Sequence, residues 1–127
     1  MKTKQLTPRQ LKVGEQIKHI LSSVLQLKKV QDPVLDAYIV TITQVKMSAD
    51  LKLANCYFSI LGKDDYKLLQ DALNYNAKYI RGLCSKELRS LKYIPSFRFY
   101  YDDSFDNFTK IDNILKSIKS GNENIDE

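Results

Sequence analysis

Apolar residues recur at two different spacings along the chain, and the change of spacing divides the sequence into helices and strands. From Pro8 to about residue 28 they return every three or four positions, which is typical of an amphipathic helix. Thr7 is suited to cap this helix and Pro8 to occupy its first turn. The predicted buried stripe consists of Val13, Ile17, Ile20, Leu21, Val24 and Leu25.

Two runs with the character of strands follow the first helix. Residues 38–47 are dense in β-branched side chains, and residues 51–61 alternate between apolar and polar ones. The polar turn between them, residues 48–50, is too short for a crossover, so the two strands are predicted to pair antiparallel. The buried face of the second strand is predicted to carry Ala54, Cys56, Phe58 and Ile60.

The segment from residue 63 to residue 91 is predicted to form two helices separated by a kink. Residues 74–76 (Asn-Tyr-Asn) are poor helix formers and mark the break. The first of these helices is predicted to bury Leu68, Leu69, Ala72 and Leu73. On a helical wheel the second buries Ala77, Ile80, Leu83, Cys84, Leu88 and Leu91, with Glu87 as the one acid in that apolar arc.

The opposite side of this second helix is basic. It carries Lys78, Arg81, Lys86, Arg89 and Lys92, inside an arc of about 140° on the same wheel. Three further cations, Arg9, Lys12 and Lys18, leave the polar sides of the first helix. Such a surface suits phosphate groups or another polyanion, and a merely solvated helix face is the alternative for each residue.

A third strand and a last helix complete the pattern. Residues 94–101 contain the strand, which is predicted to start at Pro95 and to place Phe97, Phe99 and Tyr101 on one face. A helix then runs to residue 119, and residues 120–127 are expected to be a disordered tail. The order α-β-β-α-(kink)-α-β-α predicts one α+β domain over residues 1–119, with helices packed on one face of a three-stranded sheet. This order is the type II K-homology arrangement with an added terminal helix.

Length and composition are those of one small globular domain. The 127 residues are 43% apolar and 28% charged. The sequence has no run of 18 apolar residues and no N-terminal signal pattern, so we expect a cytoplasmic protein without membrane contact. Cys56 and Cys84 take core-facing positions and are expected to be buried free thiols. Because nothing demands a dimer, we expect a monomer.

The net charge of +5 is unevenly distributed. Residues 1–92 contain 16 Lys or Arg and 8 Asp or Glu, whereas residues 93–127 contain 4 and 7. The positive excess is therefore concentrated in the first two thirds of the chain, chiefly on predicted helices. This concentration favours a polyanionic partner over a generally solubilising surface.

Asp102, Asp103 and Asp106 are the candidates for catalytic chemistry, as the magnesium site of a nuclease. They fall in a turn just before the last predicted helix, where Asp side chains commonly accept hydrogen bonds from local N–H groups. The sequence supplies neither a Gly-rich phosphate loop nor a paired acid and base, and His19 is its one histidine. We therefore expect no enzymatic activity, no metal and no other cofactor.

Several motifs resemble those of the bacterial ribosome-binding factor A family, and they occur in the family's order. They are residues 45–58 (VKMSADLKLANCYF), residues 79–83 (YIRGL) and residues 94–104 (IPSFRFYYDDS), with Arg9, Lys12 and Val13 matching the family's opening helix. The resemblance spans about residues 9–119. It departs at the kink, where the family's Ala-x-Gly-like element is replaced by Asn76-Ala77-Lys78.

The resemblance implies a ribosome assembly factor that catalyses no reaction. Such a factor binds the free or immature small ribosomal subunit and assists late maturation of its ribosomal RNA, often in connection with growth in the cold. No two of the four glycines lie three residues apart, so the Gly-x-x-Gly loop of single-strand-binding K-homology domains is missing. Binding to phosphates of folded RNA is expected instead through Arg9, Lys12, Lys18, Lys78, Arg81, Lys86, Arg89 and Lys92.

Two alternatives remain open at this point. The same fold could be a protein-interaction module that docks on a protein partner without direct RNA contact. Tyr57 and Tyr100 are predicted to point away from the core. They could stack on bases, or they could simply shield the strands.

Overall fold

Helices and strands alternate through the parts of the chain that the computed structural model describes, which are residues 6–27, 30–60 and 66–104. The helices are α1 (Pro8–Gln26), α2 (Pro33–Asp36), α3 (Tyr66–Tyr75) and α4 (Ala77–Cys84), and a 3₁₀ helix (Ser85–Leu88) continues from α4. The strands are β1 (Val40–Met47), β2 (Leu53–Ile60) and β3 (Ser96–Tyr101). The predicted last helix to residue 119 and the predicted tail lie outside the described residues.

The three strands form one sheet in the order β1-β2-β3. β1 and β2 pair antiparallel, which confirms the prediction from the short turn, and β2 and β3 pair parallel. A parallel neighbour requires a crossover connection, and the α3–α4 pair supplies it. The result is the predicted α+β architecture of type II K-homology type, with helices packed on one face of the sheet.

The core lies between this face and the helices α1, α3 and α4. Each strand contributes alternate residues, including Ala54, Cys56 and Phe58 from β2, because successive side chains of a strand point to opposite faces. The stripe on α1 is buried as predicted at Val13, Ile17, Leu21 and Val24. Gly14 lets α1 approach β1 closely, since a Cβ atom there would lie 2.6 Å from the carbonyl oxygen of Val45.

Side-chain amides hold the ends of the helices and the edges of the sheet. Thr7 and Gln10 form a capping box at the start of α1, with Gln10 N donating to Thr7 Oγ1 at 3.1 Å. Gln10 Nε2 also donates to the carbonyl oxygen of Met47 on β1 at 3.1 Å. On β3, the Asn74 amide pairs with both backbone groups of Phe99, and Gln70 Oε1 accepts from Tyr101 N. The free edge of β3 is therefore covered rather than left to pair with another chain.

The interruption between α3 and α4 occurs at Asn76, as the run of poor helix formers predicts. Asn76 Nδ2 donates to the carbonyl oxygen of Ala72 at 2.8 Å and to Asp32 Oδ2 at 2.9 Å. Asp32 also accepts from Val34 N and caps α2, a short helix that the hydrophobic pattern did not predict. The kink is thus bonded to the loop that precedes β1.

Two predictions about this region are wrong. The second helix does not continue to residue 91, because α4 ends at Cys84 and a tighter 3₁₀ helix follows. Glu87 is consequently exposed, although a continuous wheel places it among apolar residues. Leu68 is 47% exposed rather than buried, because α3 meets the core through Leu69 and Leu73, one turn apart, and Leu68 lies beside that narrow stripe.

Candidate nucleic-acid interface

The predicted basic residues of the α4 region differ in their exposure and in the element on which they lie. Lys78 on α4 and Lys86 in the 3₁₀ helix are exposed, and so are Arg89 and Lys92 in the turns that follow. Arg81 is half-buried. Because α4 ends at Cys84, the basic residues do not form one stripe along a single α-helix. They are distributed over α4, the 3₁₀ helix and the loop that follows.

Arg81 is bonded to the loop that leads into β3. Its Nε donates to the carbonyl oxygens of Ile94 and Pro95 at 3.2 and 3.0 Å, and its Nη2 donates to Ile94 O at 2.7 Å. A guanidinium presents several donors in a fixed plane, which suits it to such a clamp. Arg81 therefore anchors α4 to the start of β3, and reversing its charge would disturb the fold together with any RNA contact.

A groove brings together two of the predicted cations from distant parts of the sequence. It has a volume of about 240 Å³ and lies between the start of α1, the β1–β2 turn and the loop before β3. Arg9 and Lys92 both line it. Asp50 also lines this groove, and its carboxylate accepts hydrogen bonds from Ser48 Oγ and Lys52 N within the turn.

Tyr93 is the aromatic residue of this groove, and it is not among the predicted site residues. Lys52 Nζ lies 5.1 Å from the centre of its ring and Lys92 Nζ lies 5.7 Å from it, distances at which a cation is attracted to the ring face. We call Arg9, Lys52, Lys92 and Tyr93 the hairpin-end cluster. Lys52 and Tyr93 sit in turns without periodicity, so no helical or strand pattern could have identified them.

The remaining predicted residues lie on α1, where Lys12 is exposed and Lys18 is half-buried. Among the described residues, none of the eight predicted cations forms a salt bridge with a carboxylate, and the ion pair that does form joins Lys67 to Asp71 on α3. Their charges are therefore not neutralised by contact with a described acid. Phosphate groups are a fitting partner for such a set of cations.

Of the three aspartates considered for a magnesium site, the structure describes Asp102 and Asp103. Asp102 accepts hydrogen bonds from Thr43 Oγ1 and from Ser104 N, and the bond from Thr43 is the main cause that lowers the pKa of Asp102. Asp103 is exposed, and Asp106 lies outside the described residues. No cluster of three metal-ligating side chains occurs in the part of the chain that the structure describes.

Neither cysteine is placed to act as a nucleophile. Both are free and buried, as predicted. Burial raises the pKa of Cys56 to about 12, with a smaller effect from Cys84, and burial together with Glu87 raises that of Cys84 to about 12. A thiol that stays protonated at neutral pH reacts poorly.

Comparison with known proteins identifies the family. The family model for ribosome-binding factor A matches residues 9–115. The chain belongs to the ribosome-binding factor A family. Ribosome-binding factor A of Chelativorans sp. is 49% identical over 109 residues, which cover 86% of this chain and 81% of that protein. The corresponding protein of Rhizobium leguminosarum is 46% identical with the same coverage.

Solved structures of the family share the fold. A putative ribosome-binding factor A of Thermotoga maritima aligns with a TM-score of 0.63 at 28% identity, over 80% of this chain and 94% of that one. The crystal structure of ribosome-binding factor A from Thermus thermophilus aligns with a TM-score of 0.60 at 18% identity, over 72% and 94%. A homology model of the Thermus protein has been fitted into a cryo-electron-microscopy map of its complex with the 30S subunit. Within the described ranges of the present chain, no helix is long and apolar enough to cross a bilayer.

Proposed function

We propose that this chain is a cytoplasmic ribosome assembly factor. It binds the free or immature small ribosomal subunit and assists late maturation of the ribosomal RNA, and it catalyses no reaction itself. The observation that carries this proposal is membership of the ribosome-binding factor A family over residues 9–115. The 30S complex of the Thermus relative supports the choice of the small subunit as partner.

The RNA contact is assigned to the exposed cations. Lys78 lies on α4, Lys86 lies in the 3₁₀ helix and Arg89 directly follows that helix, whereas Arg9 and Lys92 line the groove of the hairpin-end cluster. None of these side chains forms an ion pair with an acid of the described residues, so each can meet a phosphate without first breaking one. Contacts of this kind fix position on folded RNA rather than read its sequence.

Co-sedimentation with purified small subunits, measured at several salt concentrations, tests this function. We expect the chain to travel with free small subunits and not with intact ribosomes. Association should weaken steeply with rising salt, because binding to phosphates releases counterions. Docking on a protein partner alone would leave binding nearly independent of salt, and that result would overturn the assignment of the cations.

Arg89→Glu is the informative variant, because Arg89 is exposed and its replacement leaves the core untouched. It should weaken association and lower the salt slope by about 1. Lys67→Glu is the matched control, since it makes the same change of charge on α3 at a residue outside the predicted set. Equal effects of the two variants would mean that net charge, rather than a located interface, governs association.

A further inference from the structure

The face of the sheet that points away from the helices is distinct from the basic helical surface. We call it the open face. Its outward positions hold Lys46 on β1, Asn55 and Tyr57 on β2, and Arg98 and Tyr100 on β3, and its other strand positions are uncharged. Within the described sheet, therefore, every charged strand residue on this face is a cation. α1, α3 and α4 all pack against the opposite face, which carries the buried residues.

Two tyrosines of the open face form one aromatic platform. Tyr57 and Tyr100 are partners in the register of β2 and β3. Their ring centres are 5.6 Å apart and the ring planes are inclined by 31°. Tyr100 is 37% exposed, so part of its ring is available to a ligand.

One cation of the open face lies over this platform, and another lies in the next row of the sheet. In the register, the row next to Tyr57 and Tyr100 contains Lys46, Asn55 and Arg98. Lys46 Nζ lies 5.7 Å from the centre of the Tyr57 ring, and Arg98 is exposed. Asp102, which directly follows β3, accepts hydrogen bonds from Thr43 and Ser104, and its carboxylate also interacts electrostatically with Lys46. Aromatic rings beside cations match the bases and phosphates of a single strand.

The platform is continuous with the hairpin-end cluster. The rise along β2 places Leu53 about 13 Å from Tyr57, and Lys52 of the cluster immediately precedes Leu53. Tyr93 of the cluster lies in the loop before β3, three residues ahead of Ser96, and Ser96 is the register partner of Leu53. A strand of a few nucleotides leaving the cluster would therefore pass Asn55 and Arg98 before it reaches the two tyrosines.

We propose that the open face binds an unpaired stretch of RNA, with bases stacked on Tyr57 and Tyr100 and phosphates held by Lys46 and Arg98. The open face would thus bind single-stranded RNA, in addition to the proposed contact of the helical cations with folded RNA. This inference rests on the proposed function, which identifies the RNA as ribosomal RNA. Paired bases are stacked within their own helix, so the platform selects unpaired ones. It requires no Gly-x-x-Gly loop, which this chain lacks.

Fluorescence anisotropy with a labelled RNA of about a dozen nucleotides that cannot pair with itself tests the inference. The double variant Tyr57→Leu/Tyr100→Leu removes both rings and keeps apolar volume. Its Kd should rise about tenfold or more, because each stacked base contributes by an amount of this order. The Kd for an RNA hairpin of the same length should rise much less.

Two variants control for indirect effects. Tyr100→Phe retains the ring and should bind unpaired RNA with the Kd of the wild type. Tyr75→Leu removes a tyrosine that is 86% exposed at the end of α3, and it should leave the Kd unchanged. Thermal melting of each variant establishes that it is folded.

The inference is overturned if the folded double variant binds unpaired RNA like the wild type, or if hairpin and unpaired RNA lose affinity equally. It is likewise overturned if the wild type does not bind unpaired RNA at low salt. The open face would then be assigned to contact with a protein. Failure of this inference can be distinguished from failure of the proposed function. Arg89→Glu is scored on subunit co-sedimentation, whereas the tyrosine variants are scored on a free oligonucleotide.

Discussion

The two faces of the sheet are built from the same three strands, yet they obey different constraints. The inner face carries Cys56, Phe58 and Phe99, none of which is exposed at all. The residues that alternate with them, such as Tyr57 and Tyr100, remain partly open to solvent. Adjacent residues of one strand therefore serve stability on one side and contact with other molecules on the other.

This difference explains which side chains each face of the sheet can carry. A buried inner position is restricted to side chains that fill the space between sheet and helices, because protein interiors are close-packed. An outer position is restricted only by cross-strand neighbours, whose interactions are worth about 0.2–1 kcal/mol. Aromatic and cationic side chains can therefore accumulate on the open face at little cost to folding.

Phe99 and Tyr100 give the largest expected contrast, since they are neighbours on β3 that point to opposite faces. Phe99→Ala should lower the free energy of unfolding by about 3–5 kcal/mol, because Phe99 is fully buried and its removal leaves a cavity. Tyr100→Ala should cost about 0.2–1 kcal/mol, the value of a cross-strand pair. Urea unfolding measures both. Equal losses for the two variants would show that the open face also belongs to the core.

Gly14 and Gly82 test how tightly the inner layer is packed. A methyl group at Gly14 would meet the Val45 carbonyl oxygen at 2.6 Å, whereas one at Gly82 on α4 has no atom within 4 Å. Gly14→Ala should therefore destabilise the protein by about 1–3 kcal/mol through overpacking of α1 on β1. Gly82→Ala should stabilise it by about 0.5–1 kcal/mol, because alanine is the better helix former.

Thermal melting of both glycine variants decides the point. The comparison is internal, since each variant adds the same single methyl group to a helix. If Gly14→Ala melted at or above the wild-type temperature, α1 would have room to move away from β1. The close approach at Val45 would then have no energetic importance.

Local patterns in the sequence predict the layers of this fold well. The spacing of Val13, Ile17 and Leu21 predicts the buried stripe of α1, and the short polar turn predicts the antiparallel pair. These signals work because a helix or strand imposes one repeat on its own side chains. The position of the kink also follows from local composition, because Asn76 lies in a run of poor helix formers.

The end of α4 and the grouping of the cations could not be obtained in this way. Whether residues after Cys84 form an α-helix or a 3₁₀ helix depends on how Leu88 reaches the core, which is a tertiary contact. On the helical wheel Arg81 lies on the polar side, where a cation is expected to be exposed. It acts as an anchor only because the chain returns at Ile94 and offers its carbonyl oxygen to the guanidinium. Arg9 and Lys92 are 83 positions apart in the sequence, and the fold alone brings them to one groove.

A smaller effect than those of Phe99→Ala and Gly14→Ala is expected for the bond between Thr43 and Asp102, which joins the end of β3 to the bulge of β1 on the open face. Thr43→Val should lower the free energy of unfolding at neutral pH by about 0.5–1 kcal/mol, the value of one partly exposed hydrogen bond to a charged group screened by solvent. Thr41→Val, at an exposed position on the same strand, is the matched control and should have almost no effect.

The pH dependence of this difference follows from the carboxyl group. The bond from Thr43 lowers the pKa of Asp102 in the folded state, so its stabilisation is complete above the unfolded value of about 3.9. It is lost as the pH falls through the lower folded value, because protonation removes the charged acceptor. The free energies of unfolding of wild type and Thr43→Val in urea should therefore differ by a constant amount well above the unfolded pKa and converge once the pH falls below the lowered folded pKa of Asp102. A difference that persisted unchanged in acid would assign the effect to the packing of Thr43, or to its weaker bond to the Tyr57 carbonyl at 3.3 Å, rather than to Asp102.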